Sequence, residues 1–185
     1  MRIISGKLKG QQIAFLKNQN TRPLKDSVRE NIFNILLHSK LVETNLINAN
    51  ILDLYSGFGS FGLEAISRGA KMVTFVEKDE KATEILKNNL FKLKIINKAK
   101  IFKKNVDEVL LSENLKKYDI YFFDPPYKDK NFLNVLLQLK KKLLSKKEVL
   151  IIIHREKRAV EKFDGVFKTF FEKIYGRSKI IFGKF

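Results

Sequence analysis

"ILDLYSGFGSFGLEAISRGA", residues 51–70, decides the fold. Residues 51–55 are apolar without polar alternation, apart from Asp53, which is the mark of a strand buried on both faces. Gly57, Gly59 and Gly62 follow with the spacing G-x-G-x-x-G. From residue 60 to 68 the apolar positions take a helical period, and Gly69 stands where a left-handed helix stop is expected. Strand, glycine loop and helix in this order open a parallel α/β unit.

The same alternation continues outward. Strands are predicted at 51–55, 72–76, 100–103, 120–123 and 149–154, and helices at 60–68, 79–93, 106–116 and 132–144, with Asp79 as an N-cap. Two β-rich runs, 168–175 and 178–182, flank "GRS" and read as an antiparallel hairpin closing the sheet edge. Upstream, residues 1–19 carry short β-favouring runs around Gly6 and Gly10, which predict a hairpin. "NTRPLKD" then breaks the chain, and a helix is predicted over 25–39. The expectation is an α/β domain with a doubly wound, mostly parallel seven-stranded sheet. One domain spans 1–185, with a hairpin-and-helix extension over 1–40 and the catalytic core over 41–185.

The composition narrows the partners. The chain of 185 residues has a formal net charge of +17, which invites a polyanion. Most of its 37 basic residues are Lys, a pattern that lysine-favouring codon usage also produces. Cys is absent, which excludes disulfides and thiolate metal sites, and the two His, His38 and His154, argue against a catalytic zinc. No apolar run approaches the ~18 residues of a membrane span. "MRIISGKLKG" does not resemble a secretory signal, so a cytoplasmic protein with no membrane and no metal is expected.

The glycine loop formally allows a dinucleotide, whose pyrophosphate would sit at the helix N-terminus. Asp53, four residues before Gly57, opposes that, because its carboxylate would repel a diphosphate. A cofactor with a cationic end reverses the sign. S-adenosylmethionine carries an ammonium and a sulfonium and no phosphate. Glu77, at the end of the second strand, can accept both ribose hydroxyls. Asn105 and Val106, after the third strand, are placed at the edge of the adenine, with a solvated loop as the alternative. Tyr55 and Lys78, beside these acids, are assigned to the same cofactor surface.

"FFDPPYKDK", residues 122–130, follows the fourth strand. Prolines lack a backbone N–H, so Asp124, Pro125, Pro126 and Tyr127 are rich in acceptors. The Asp124 carboxylate and the Pro125 carbonyl suit the two hydrogens of an –NH2 group, and the Tyr127 ring suits a planar base, a stack worth about 1–3 kcal/mol. Such acceptors hold a poorly nucleophilic base amine and stabilise the charge that develops as it attacks a methyl group. A plain strand exit is the alternative reading.

"LDLYSGFGSFGLEAISRGA", "VEKD" and "DPPY" together look like a class I S-adenosylmethionine-dependent amino-methyltransferase with a Rossmann-like fold. "MRIISGKLKGQ", "TRPLKDSVRENIFNIL" and "YGRSKIIF" resemble the RsmD family, bacterial enzymes that methylate the exocyclic N2 of one guanine in 16S ribosomal RNA. The resemblance covers nearly the whole chain. It implies that Asp53, Gly57 and Gly59 cradle the methionine part of the cofactor, that Glu77 holds its ribose, and that Asp124 to Tyr127 bind the target guanine. The family's "RP…D.VRE" pattern falls on Arg22, Pro23, Asp26, Val28, Arg29 and Glu30, near the active-site mouth or on the RNA. Arg2, Lys7 and Lys9 on the N-terminal hairpin would contact phosphates, giving affinity without base specificity. His154 is expected to be structural. Phe58 and Phe61 stand where the family often has smaller residues, and Leu24-Lys25 replace its usual threonines.

The implied partner is 16S ribosomal RNA or the small ribosomal subunit, and nothing in the sequence demands more than a monomer. The nearest rival is an amino-methyltransferase acting on adenine N6 in RNA or DNA. Sequence-specific DNA enzymes of that kind usually carry a separate recognition domain, and here almost every residue belongs to the core. Protein glutamine methylation, a catalytically dead RNA-binding factor and a dehydrogenase are weaker alternatives.

Overall fold

A computed structural model describes residues 1–15, 24–126, 129, 131–144, 149–159, 163 and 165–185. A seven-stranded sheet is built from β1 (Asn50–Leu54), β2 (Met72–Val76), β3 (Ala99–Phe102), β4 (Ile120–Phe123), β5 (Leu150–Glu156), β6 (Lys168–Tyr175) and β7 (Ser178–Lys184). The strand order is β3-β2-β1-β4-β5-β7-β6. β1 to β5 run parallel, whereas β7 is antiparallel to β5 and β6 to β7. The chain leaves β1 toward β2 and β3, then returns to place β4 on the other side of β1. That reversal between β1 and β4 is the topological switch point, where ligands of such sheets bind outside the carboxyl ends of the strands.

Alternate side chains of each parallel strand enter different cores. On one face α1 (Asp26–His38), α2 (Ser60–Ser67) and α3 (Glu80–Lys92) cover Ile51, Val73, Phe75, Phe122 and Ile152. On the other, α4 (Val106–Ser112) and α5 (Phe132–Leu143) cover Leu52, Leu54, Tyr121, Phe123 and Ile151. Phe61 joins three elements of the first core, stacking on Phe33 of α1 at 5.1 Å and on Phe122 of β4 at 3.9 Å. Its bulk, unusual against the family pattern, is core filling.

Two boundaries differ from expectation for physical reasons. The helix predicted to run to residue 116 stops at Ser112, and a 3-10 turn forms over Leu115–Lys117. There the Asn114 side chain accepts from the Lys116 amide and so competes with the helical ladder. β5 continues past His154 to Glu156 because β7 supplies a partner there. Its last pairing with β4 is Phe123↔Ile153, while His154, Arg155 and Glu156 pair with Ile180, Lys179 and Ser178. Three residues of β5 thus overhang the end of β4.

Among the described residues the N-terminal hairpin is reduced to one antiparallel bridge, Arg2↔Gln12, with hydrogen bonds Ile3 N to Gln11 O (3.0 Å) and Ile13 N to Met1 O (2.9 Å). Ile3 and Ile13 are buried in the first core. The buried carboxylate of Glu64 on α2 accepts from the amides of Ile4 (2.8 Å) and Ser5 (3.0 Å), and Asn89 on α3 exchanges two hydrogen bonds with Ala14. Core side chains thus do for this segment what strand partners would otherwise do.

Candidate active site

At the switch point the glycine loop turns from β1 into α2. Gly57 and Gly59 take positive φ values of 53° and 81°. A Cβ on Gly57 would meet nothing within 4 Å, so the loop keeps an open side there. Gly62 serves packing instead: a Cβ would lie 2.2 Å from the Phe75 ring. The N-cap of α2 is Gly59, which has no side chain to cap with. Asp53 does that work from β1, its Oδ2 accepting from the Gly62 amide at 3.1 Å. The positive end of α2 is therefore already matched by an acid, which leaves little for a diphosphate.

Asp53 is 1% exposed, and its Oδ1 has no hydrogen-bond partner. Burial pushes its carboxyl well above the usual range, the Gly62 bond opposes this, and the nearby charges of Asp124 and Glu77 add to the rise. A buried acceptor short of a donor and crowded by two other carboxylates favours a cation. The adjoining Ser56 Oγ is also buried without a partner.

Glu77, just past β2, accepts from the Gly57 amide at 2.9 Å and from the Asp79 amide at 2.8 Å. It thereby braces the glycine loop, and each oxygen keeps a further lone pair for a ligand hydroxyl. Tyr55 is half-buried at φ 61°, and burial together with Asp129 and Asp107 pushes its hydroxyl up. Lys78 is exposed. Asn105 is the N-cap residue of α4, with the Glu108 side chain accepting from its amide at 3.2 Å, and Val106 is buried in the second core.

Asp124 follows β4 directly, its amide bonded to Leu54 O at 3.3 Å, and its carboxylate is partly exposed at the same edge as Asp53. The structure adds three residues that the sequence reading did not place there. His154 Nδ1 lies 2.7 Å from Asp124 Oδ1, and its Nε2 lies 2.9 Å from Ser178 Oγ. Arg155 Nη1 donates to the carbonyls of Pro125 (3.3 Å) and Pro126 (3.2 Å), with its guanidinium over the Phe132 ring. The Pro125 carbonyl, expected to face an amine, thus already serves one donor. The signal that could have found His154 is its place at the last position of the strand predicted over 149–154, one residue beyond the part of β5 that pairs with β4.

Arg2, Lys7 and Lys9 are exposed. The Lys7 amide bonds Ser67 O at 2.8 Å, at the far end of α2 from the glycine loop. Arg22, Pro23 and Tyr127 lie outside the described residues. Arg29 differs from the expectation of an RNA contact. Its guanidinium is fully buried, paired with Asp26 at 3.0 Å and Glu64 at 3.6 Å, and donates to Arg2 O at 2.6 Å. The helical period brings position 29 to the same inward face as Val28, Ile32 and Phe33. Among the described residues no cluster of three or more His, Asp or Glu could hold a metal, and no helix is long and apolar enough to cross a membrane.

The family model described as "Conserved hypothetical protein 95" matches residues 1–184. A protein of Buchnera aphidicola named "Ribosomal RNA small subunit methyltransferase D" is 38% identical over 156 residues, 84% of this chain and 78% of its own length. The chain belongs to the RsmD family. It is a methyltransferase by that membership. A solved conserved hypothetical protein of Streptococcus pyogenes shares the fold at TM-score 0.73 and 27% identity, covering 85% of this chain and 94% of that one. An RNA methyltransferase of Salinibacter ruber, solved in complex with S-adenosyl-L-homocysteine, superposes at TM-score 0.59 with 12% identity over 88% of this chain and 93% of that one, a likeness of fold alone.

Proposed function

We propose that this RsmD-family enzyme uses S-adenosylmethionine to methylate an exocyclic base amine, the N2 of a guanine in small-subunit ribosomal RNA. The observation that carries the reading is the pair of acids at the switch point: Asp53 with a buried, unpartnered Oδ1, and Asp124 with one oxygen engaged and its side chain open to the edge. The relatives named as small-subunit ribosomal RNA methyltransferases supply the substrate class.

The cofactor, when bound, supplies an electrophilic methyl group on a sulfonium. Asp53 Oδ1 would accept from its ammonium, and Glu77, already holding two amides, would take its ribose hydroxyls. The open side of Gly57 leaves room beside the loop. Lys78, Tyr55, Asn105 and Val106 would border the same surface.

Asp124 Oδ2 and the second lone pair of the Pro125 carbonyl would accept the two amine hydrogens. They would turn the nitrogen lone pair out of conjugation and stabilise the positive charge that grows as the N–C bond forms. The diproline has no N–H to compete with the amine. One amine proton would then pass to water, after the S–C bond to the transferred methyl group has broken, so no strong base is required beforehand. Tyr127 would stack on the base.

Arg2, Lys7, Lys9 and Arg22 would contact phosphates. The eight-residue α2 is about 12 Å long, so Lys7 would meet backbone away from the target base. The reading takes the chain to act as a cytoplasmic monomer on 16S RNA or the small subunit.

Labelled S-adenosylmethionine is offered with unmodified small ribosomal subunits, naked 16S RNA and duplex DNA, and the products are digested to nucleosides. N2-methylguanosine from a ribosomal substrate is the expected result. N6-methyladenine, or label in DNA alone, would keep the amine chemistry and overturn the substrate.

A further inference from the structure

We infer that His154, backed by Ser178, is a positioning residue for the methyl transfer: it holds the Asp124 carboxylate with one oxygen occupied and the other turned to the amine. The inference rests on the reading of Asp124 given above.

The overhang of β5 sets this contact. Beyond Ile153 the strand has lost β4 as a neighbour and is held by β7 alone. Asp124, the residue after β4, therefore comes to lie beside His154, the residue after Ile153. Nδ1 and Oδ1 are 2.7 Å apart, within the range of charge-assisted bonds. An ionised carboxylate only accepts, so Nδ1 carries the proton in this contact.

Ser178 sits diagonally across the β5–β7 pair from His154, whose direct partner is Ile180. Its Oγ is 2.9 Å from Nε2. A hydroxyl can donate to a neutral imidazole or accept from a charged one, so this bond survives either state of the ring. With both nitrogens engaged and the side chain 7% exposed, the imidazole has a fixed plane. Asp124, at 22% exposed, would otherwise turn about two side-chain torsions.

Arg155, next along the same overhang, ties the carbonyls of Pro125 and Pro126. The two residues act on different parts of one motif, His154 on the carboxylate and Arg155 on the diproline backbone. His154, at 7% exposed, is more deeply buried than Asp124 at 22%, so the carboxylate and not the imidazole is the group offered to the amine. Its effect should therefore fall on turnover and pass through Asp124.

The test uses the full chain and the ribosomal substrate proposed above, measuring kcat, KM for the ribosomal substrate and affinity for S-adenosylmethionine. Asp124→Ala, His154→Ala, His154→Leu, His154→Asn, Ser178→Ala and the double variant Asp124→Ala with His154→Ala are compared. A displaced reacting group costs on the order of 100-fold. His154→Ala and His154→Leu are expected to lose about that in kcat, with cofactor affinity unchanged. His154→Asn, whose amide nitrogen can stand near Nδ1, should recover most of the loss, and Ser178→Ala should lose less than His154→Ala. In the Asp124→Ala background, removing His154 should change nothing further.

Full turnover in His154→Leu would reduce the residue to packing and overturn the inference. So would an equal loss from His154→Ala with and without Asp124. If Asp124→Ala itself kept full turnover, the reading of Asp124 would fall and the inference with it. An inactive Asp124→Ala beside active His154 variants would overturn the inference alone.

Discussion

At the residue scale, Asp53 has two oxygens with different duties. Oδ2 caps α2 through Gly62, and Oδ1 is left buried without a donor. Burial and the neighbouring carboxylates hold its proton to a higher pH than an ordinary aspartate would. A cation bound against Oδ1 favours the ionised form. Below that raised pKa the free protein carries a proton that the complex gives up, so affinity for S-adenosylmethionine should rise with pH through it. Calorimetry in two buffers of different ionisation enthalpy should detect the released proton. Asp53→Asn should bind the cofactor at least tenfold more weakly, about 1.4 kcal/mol or more, and should release none. Buffer-independent heats at every pH across the acid-to-neutral range, with an affinity that does not change with pH, would remove Asp53 from the cofactor site.

At the element scale, the N-terminal segment is held by polar groups of the helices more than by its own strand pairing. Glu64 is the centre of this attachment: it takes the Ile4 and Ser5 amides, the Arg68 Nε at 2.7 Å, and the charge of Arg29. Arg29 Nε and Nη1 have no hydrogen-bond partner, so its charge depends on Asp26 and Glu64. Glu64→Ala would leave a buried guanidinium short of its main counter-charge and two amides without acceptors. A loss of about 3–5 kcal/mol in denaturant unfolding is expected, together with earlier proteolytic cleavage near residues 1–15. A change under 1 kcal/mol would mean that apolar packing of Ile3 and Ile13 holds the segment. The helical register showed that α1 has a buried face, but a pattern that sorts residues by polarity placed Arg29 outside it. The carboxylate that makes burial tolerable is on α2, 35 positions away.

At the scale of the whole molecule, the charge of +17 coexists with a local excess of acid at the switch point. The two fields serve different ligands: a polyanion over the surface and a cationic cofactor at the centre. Counterion release makes only the first strongly dependent on salt. Between about 50 and 200 mM salt, KM for the ribosomal substrate should rise by tenfold or more, while affinity for S-adenosylmethionine changes little. Equal salt dependence of both would argue that the basic surface is not a nucleic-acid surface. Lys7→Glu with Lys9→Glu should flatten the slope without altering cofactor affinity.

The sequence by itself determined the order and type of the elements, because unbroken apolar strands and amphipathic helices are local periodicities. It also placed Asp53, Glu77 and Asp124 at the carboxyl edge, since each stands at or next to the end of a strand. Only the tertiary structure decided which side chains meet across that edge. His154 reaches Asp124 because β7 carries β5 past the end of β4, a matter of pairing between residues 22 or more positions apart. Arg155 reaches the diproline for the same reason. Arg29 turns inward because Glu64 is there to receive it. Periodicity reports which face a residue shares, and the partner on the opposing element is set by register and packing, which the chain reaches only on folding.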